Sequence, residues 1–205
     1  MKILVTGFEP FGGETVNAAW EAVRRLRAPA GTELKKLLLP TVFGASGDLL
    51  CAALAEEEPD LVLCLGQAAG RAAITPERLA LNRMDAAIPD NAGVQPRERP
   101  VIPGGPERLS ARLPVEELAE AIAAAGVPAA VSDSAGLFVC NQLLYRLLYE
   151  MEEKYPAMRG GFIHVPCLPE QAARPGKEKP LPSLPLDDIV RGLQAGLERL
   201  AERFS

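Results

Sequence analysis

Apolar positions along this chain alternate between strand-like runs and helix-like spacing. Lys2 to Thr6 is a compact apolar run that predicts a β-strand, Gly7 to Gly13 reads as a turn, and Asn17 to Leu26 carries Trp20, Val23 and Leu26 at helical intervals. Glu33 to Leu39 predicts a second strand and Ser46 to Ala55 a helix. Asp60 to Leu65, continuous in apolar residues, fits a strand buried on both faces of a parallel sheet. Leu79 to Met84 and Ala129 to Ser132 read as short strands, Val115 to Ala125 and Val139 to Glu152 as helices, and Gly161 to Val165 as the strand bearing His164.

Two stretches interrupt the alternation. Pro89 to Leu109 is dense in Pro, Gly and charge and predicts an ordered loop or short hairpin; Glu170 to Pro185 is polar and predicts a mobile loop. Asp187 and Asp188 then suit the first turn of a last helix, with an apolar face through Ile189, Val190, Leu193, Leu197, Leu200 and Phe204. No internal repeat and no interdomain linker stand out, so residues 1–205 read as a single α/β domain. The sum predicts a three-layer α/β/α sandwich around a twisted, mostly parallel sheet, phosphorylase/hydrolase-like, with its site at the carboxyl ends of the strands.

Composition narrows the function. Hydrophobic residues make up 48% of the chain, enough for a core, yet no apolar run approaches the ~20 residues of a membrane helix. With 22 Lys and Arg against 27 Asp and Glu there is no basic stripe for nucleic acid. Met1 to Gly7 enters a strand at once, with an apolar stretch too short for a signal-peptide core, so a cytoplasmic location is expected. Cys51, Cys64, Cys140 and Cys167 lie far apart with one histidine in the chain, which argues against a metal site. Cys51 and Cys64, flanked by apolar residues, read as small buried hydrophobes, and Cys167 as a loop cysteine packed between prolines. Gly7 with Gly12-Gly13 lacks the G-x-G-x-x-G spacing of a dinucleotide turn, and the second strand closes on Leu39-Pro40 without an acidic residue; an oxidoreductase is the weakest reading.

The chemistry centres on His164 and on Cys140, the latter at the apparent opening of a helix. Backbone N–H groups and the dipole at such a terminus favour a thiolate and can stabilise an oxyanion. His164, at the end of a later strand, is placed to move the thiol proton. A third group must orient the imidazole, and Glu77, Asp85, Asp90 and Asp133 all remain open on the residues alone; Asn141 is discounted because adjacent helical side chains diverge. Taken alone, Glu77 would read as a surface residue paired with Arg78.

Four segments, in order, resemble the pyrrolidone-carboxylate peptidases (pyroglutamyl peptidase I), a family of cysteine peptidases. They are Val5 to Asn17, Gly70 to Arg78 with Ile88-Pro89-Asp90-Asn91, Ser134 to Asn141, and Gly160 to Pro166. The resemblance implies a Cys140–His164–Glu77 triad, no cofactor, a homotetramer, and peptides with an N-terminal 5-oxoproline as substrate. It also implies a pocket for a small neutral ring, walled by Phe8, Phe11, Thr41, Ile88, Phe138 and Val139, with Asn17 and the backbone around Gln67 as polar contacts. One departure stands out: where the family carries an arginine near the active site, this chain has Ala87, and Arg71 or Arg83 are the candidate substitutes. That loss keeps open a rival reading, a non-catalytic ligand-binding module on the same sandwich.

Overall fold

Four strands lie side by side and parallel in the computed structural model of the chain, which describes residues 1–172 and 180–205. They are β1 (Lys2–Phe8), β2 (Glu33–Leu39), β3 (Leu61–Gln67) and the later strand Arg159–Val165. The helices among them are α1 (Ala18–Arg25) and α2 (Ala45–Glu57). Three short strands follow β3: β4 (Thr75–Pro76), β5 (Leu79–Leu81) and β6 (Arg108–Ser110). Next come α3 (Val115–Ala124), α4 (Val139–Glu153), the parallel strand β7 (Arg159–Val165), α5 (Pro169–Ala172) and α6 (Leu186–Phe204).

The main sheet runs β2-β1-β3-β7-β4, with β4 antiparallel to β7 and every other pair parallel. Alternation along β3 explains the layers. Leu61, Leu63 and Leu65 face a core shared with α1, α3 and α6, while Val62 and Cys64 face a second core built on α2 and α4. Both faces of the sheet are therefore covered, which is why β3 is buried at every position. Strand order reverses between β1 and β3, whose partners lie on opposite sides, and the carboxyl ends there open a crevice. Helix α1 starts beside it, where Asn17 caps the helix by accepting from the Ala19 N–H at 3.0 Å, a bond worth about 1 kcal/mol.

Some sequence expectations fail for identifiable reasons. Ala129 to Ser132 is no strand: it touches residues 74–77 through isolated bridges only, because Pro76 has no N–H to continue the ladder. The strand expected to reach Met84 stops at Leu81, where the Asn141 side chain donates to the carbonyls of Leu81 and Arg83 and accepts from the Leu81 N–H. Pro89 to Leu109 is largely loop, and its end forms a two-stranded pair, β6 with β5. Of the loop expected at 170–185, Pro169–Ala172 is one helical turn, and residues 173–179 lie outside the described residues. Cys64 is a core thiol, but Cys51 is only half-buried, beside Arg146 and Glu150 of α4. Cys167 is buried, its thiol donating to the Pro182 carbonyl. Among the described residues no helix is long and apolar enough to cross a membrane.

Candidate active site

His164 sits one residue before the end of β7, and the antiparallel β4 sets its acidic neighbour. Thr75 pairs with His164 and Pro76 with Ile163, so that Glu77 follows directly and its N–H bonds the Phe162 carbonyl at 2.9 Å. The Glu77 carboxylate then reaches the imidazole, with Oε1 2.7 Å from Nδ1. Glu77 is fully buried and His164 nearly so. This is no surface ion pair with Arg78, which turns away to Asp133 and Glu116. The other carboxylates weighed from the sequence are engaged elsewhere. Asp85 meets Arg83, Asp133 meets Arg78, and Asp90 accepts from the N–H groups of Phe43, Ala92 and Val94.

Arg71 completes the cluster. It donates to the same Glu77 Oε1 at 2.6 Å, to the Ser134 carbonyl at 2.8 Å, and to the Thr75 hydroxyl. Of the two arginines considered as substitutes at Ala87, Arg71 is therefore in the site, whereas Arg83 is an exposed partner of Asp85 and Glu98. Ala87 itself is exposed.

Cys140 occupies the first turn of α4. The chain reaches it through Gly136, whose φ of +77° suits glycine, and through Phe138, an extended N-cap residue that offers no side-chain cap. The amides of that turn are thus left without a side-chain acceptor, and the N–H of Cys140 lies beside its own thiol. Gly66 of β3 makes room for the sulfur: a Cβ there would lie 3.0 Å from Cys140 Sγ and 2.7 Å from the Phe162 ring.

Ionisation departs from the sequence expectation of a thiolate. Burial, reinforced by the nearby Glu77 charge, pushes the Cys140 thiol up to about 12, outweighing the opposing pull of Arg71 and of its own backbone N–H. Burial likewise lowers His164, against the raising effect of its bond to Glu77. Both shifts favour a neutral thiol and a neutral imidazole over the ion pair. A carboxylate acceptor at Nδ1 favours the tautomer with its proton there, which leaves Nε2 unprotonated.

Cys140 and His164 line one cavity of about 100 Å³ together with Phe8, Phe11, Asn17, Thr41, Gln67, Ala135 and Phe138. Phe138 stands between Phe11 and Phe43, at ring separations of 5.9 and 5.3 Å. Two expected wall residues are not in the lining. Ile88 is 44% exposed on its loop beside Gly12, and Val139 is fully buried in the core beneath the sheet, because adjacent positions on α4 point apart. Asn17 lines the cavity, but its amide already caps α1 and donates to the Glu9 carbonyl, which also takes the Thr41 hydroxyl. Gln67 Oε1 accepts from the Ala18 N–H at 2.7 Å. Sequence reasoning did not single out Ala135 and Phe43; Ala135 lies within the Ser134 to Asn141 segment, whereas Phe43 left no local signal.

The family model described as pyroglutamyl peptidase matches residues 1–203. A pyrrolidone-carboxylate peptidase of Levilactobacillus brevis is 47% identical over 201 residues, covering 98% of this chain and 97% of that protein. The crystal structure of Bacillus amyloliquefaciens pyroglutamyl peptidase I superimposes with a TM-score of 0.94 at 45% identity, covering 100% of this chain and 98% of the other. A mutant pyrrolidone carboxyl peptidase from the hyperthermophile Pyrococcus furiosus gives a TM-score of 0.96 at 36% identity over 100% of both chains.

Proposed function

The chain belongs to the pyroglutamyl peptidase family, and on that premise we propose that it is a cysteine exopeptidase, an omega peptidase that hydrolyses the amide bond after an N-terminal 5-oxoproline. Cys140 is the nucleophile, His164 the general base and acid, and Glu77 the group that orients the imidazole. The observation that carries the assignment is the 2.7 Å contact between Glu77 and the one histidine, beside a cavity that also holds Cys140.

In this reading the reaction starts from the neutral pair. As Sγ attacks the carbonyl carbon of the pyroglutamyl residue, His164 Nε2 takes the thiol proton. The imidazolium forms against Glu77 and beside the developing negative charge, so both charges arise together where each is stabilised. Amides of the first turn of α4 receive the oxyanion. The imidazolium then protonates the departing amine, leaving a thioester on Cys140. Water, deprotonated by His164, hydrolyses the thioester to free 5-oxoproline and regenerates the thiol.

The pocket explains the choice of substrate. Phe8, Phe11 and Phe138 suit the faces of a small uncharged lactam. An ordinary N-terminus would place an ammonium among these rings, and burying an unpaired charge costs several kcal/mol. Proline keeps a ring but is charged and lacks the carbonyl.

The same reading takes residues 1–205 as one catalytic unit, working in the cytoplasm as a homotetramer. Four free cysteines and a formal charge of -5 suit a reducing, soluble compartment; the tetramer is the family's expectation and is checked by sedimentation equilibrium. The functional test is a fluorogenic pyroglutamyl amide assayed beside its prolyl analogue. Cleavage of the first alone is expected, with Cys140→Ala silent; a wild type that releases no fluorophore, or a Cys140→Ala variant as active as wild type, contradicts the reading. A wild type without cleavage that still binds 5-oxoproline would favour the ligand-binding module.

A further inference from the structure

Arg71 joins two parts of the site that the sequence leaves 63 residues apart. One face of its guanidinium holds Glu77 Oε1 at 2.6 Å, the oxygen that also meets His164 Nδ1, and Nη2 holds the Ser134 carbonyl at 2.8 Å. Ser134 opens the short turn through Gly136 and Phe138 that delivers Cys140 to the head of α4. We propose that Arg71 is a positioning residue of the reaction: a single guanidinium fork clamps Glu77 against His164 and ties that carboxylate to the turn carrying the nucleophile.

Chemistry favours the fork over a bare charge. Glu77 is fully buried and its second oxygen, Oε2, has no hydrogen-bond partner, so its charge is met on Oε1 alone, by His164 and Arg71. A planar guanidinium satisfies a carboxylate and a carbonyl in different directions at once; an ammonium on a flexible stem orders such a pair less well. Arg71 is three-quarters buried at its side chain, so its field is only partly screened. The ionisable groups acting on His164 are Glu77 and Arg71, and those acting on Cys140 are Glu77, Arg71 and Cys64. In both sets Arg71 is the cation, and it favours the neutral imidazole and the ionised sulfur.

This assignment rests on the peptidase reading, and its test separates the two. Wild type, Arg71→Gln and Arg71→Lys are compared in kcat and KM for the fluorogenic pyroglutamyl amide. The imidazole of His164, the one histidine, is followed by NMR against pH. Arg71→Gln is expected to lower kcat by about 30-fold or more with KM within about 3-fold, since misplacing reacting groups by an ångström costs about 100-fold. Its His164 midpoint moves up, because the cation that opposed protonation is gone. Arg71→Lys returns the midpoint toward wild type but recovers only part of kcat. If Arg71→Gln does not fold, Arg71→Lys decides alone: reduced kcat at unchanged KM supports the clamp, and wild-type kcat overturns it. The inference is also overturned by wild-type kcat in Arg71→Gln, by a loss confined to KM, or by a His164 midpoint that stays or falls. An inactive wild type sinks the peptidase reading itself, whereas an active wild type with a superimposable Arg71→Gln profile sinks only the clamp.

Discussion

Glu77 Oε1 lies 2.7 Å from His164 Nδ1, and the carboxylate that makes this contact is wholly withdrawn from solvent. In the proposed mechanism the contact selects which ring nitrogen carries the proton, and so which one works as the base. In the same mechanism it supplies the counter-charge as the imidazole becomes imidazolium.

Glu77→Gln keeps shape while removing that charge and allowing the amide to donate toward Nδ1, which favours the wrong tautomer. A fall in kcat of about 10²- to 10⁴-fold is expected, by analogy with the loss of an orienting carboxylate in serine peptidases, with a lowered melting temperature because Arg71 loses its buried partner. Steady-state kinetics alongside thermal unfolding check it; a variant within a few-fold of wild type would remove Glu77 from the mechanism.

The pH dependence follows from two opposite displacements. His164 is held below 6.5 by burial, so the folded protein favours its neutral form. The sign follows from linkage: its contribution to stability is present above 6.5 and is lost as pH falls below that toward the folded-state value. The acid limb of kcat/KM should accordingly lie below 6.5; a limb above pH 7 contradicts a buried neutral imidazole. Cys140, raised from 9.0 to about 12, should alkylate slowly at neutral pH without substrate and faster as pH rises past 9. Site-resolved mass spectrometry separates it from the half-buried Cys51, and rapid alkylation of Cys140 at pH 6 to 7 would show a preformed thiolate instead.

Gly66→Ala tests the seat of the sulfur. A methyl at that position would meet the Phe162 ring at 2.7 Å and Cys140 Sγ at 3.0 Å, closer than packed atoms tolerate. Since β3 is backbone-paired to β1 and β7, the side chains must shift, and kcat should fall by about 10-fold or more with the fold retained. Unchanged kcat would mean that Sγ is not held where the Gly66 contact puts it.

Much of the fold was legible because long elements carry strong periodicity. The apolar run that opens β3 and the spaced leucines of α4 and α6 have one arrangement that buries them. The failures are local. The missing N–H of Pro76 leaves Ala129 to Ser132 without a ladder, and three hydrogen bonds of the Asn141 amide end β5 at Leu81; hydrophobic patterning reports neither. At the site, the residue types of Cys140 and His164 were visible, but the choice of Glu77 among four carboxylates came from family resemblance, not from the pattern. The thiol's ionisation was misread because a helix terminus is a local feature, whereas burial and the Glu77 charge come from segments far along the chain. Ile88 and Arg71 exchange importance for a similar reason: the loop that leaves Ile88 exposed and the turn that sends Arg71 inward are both tertiary.

The most direct test of the account is to find the acyl group. Wild type mixed with a pyroglutamyl ester, quenched in acid within its first turnover and digested should carry the 5-oxoprolyl group on the peptide containing Cys140, with none on Cys51, Cys64 or Cys167. The same adduct should be absent in Cys140→Ala. A 5-oxoprolyl group on another residue, or turnover that persists in Cys140→Ala, would contradict it.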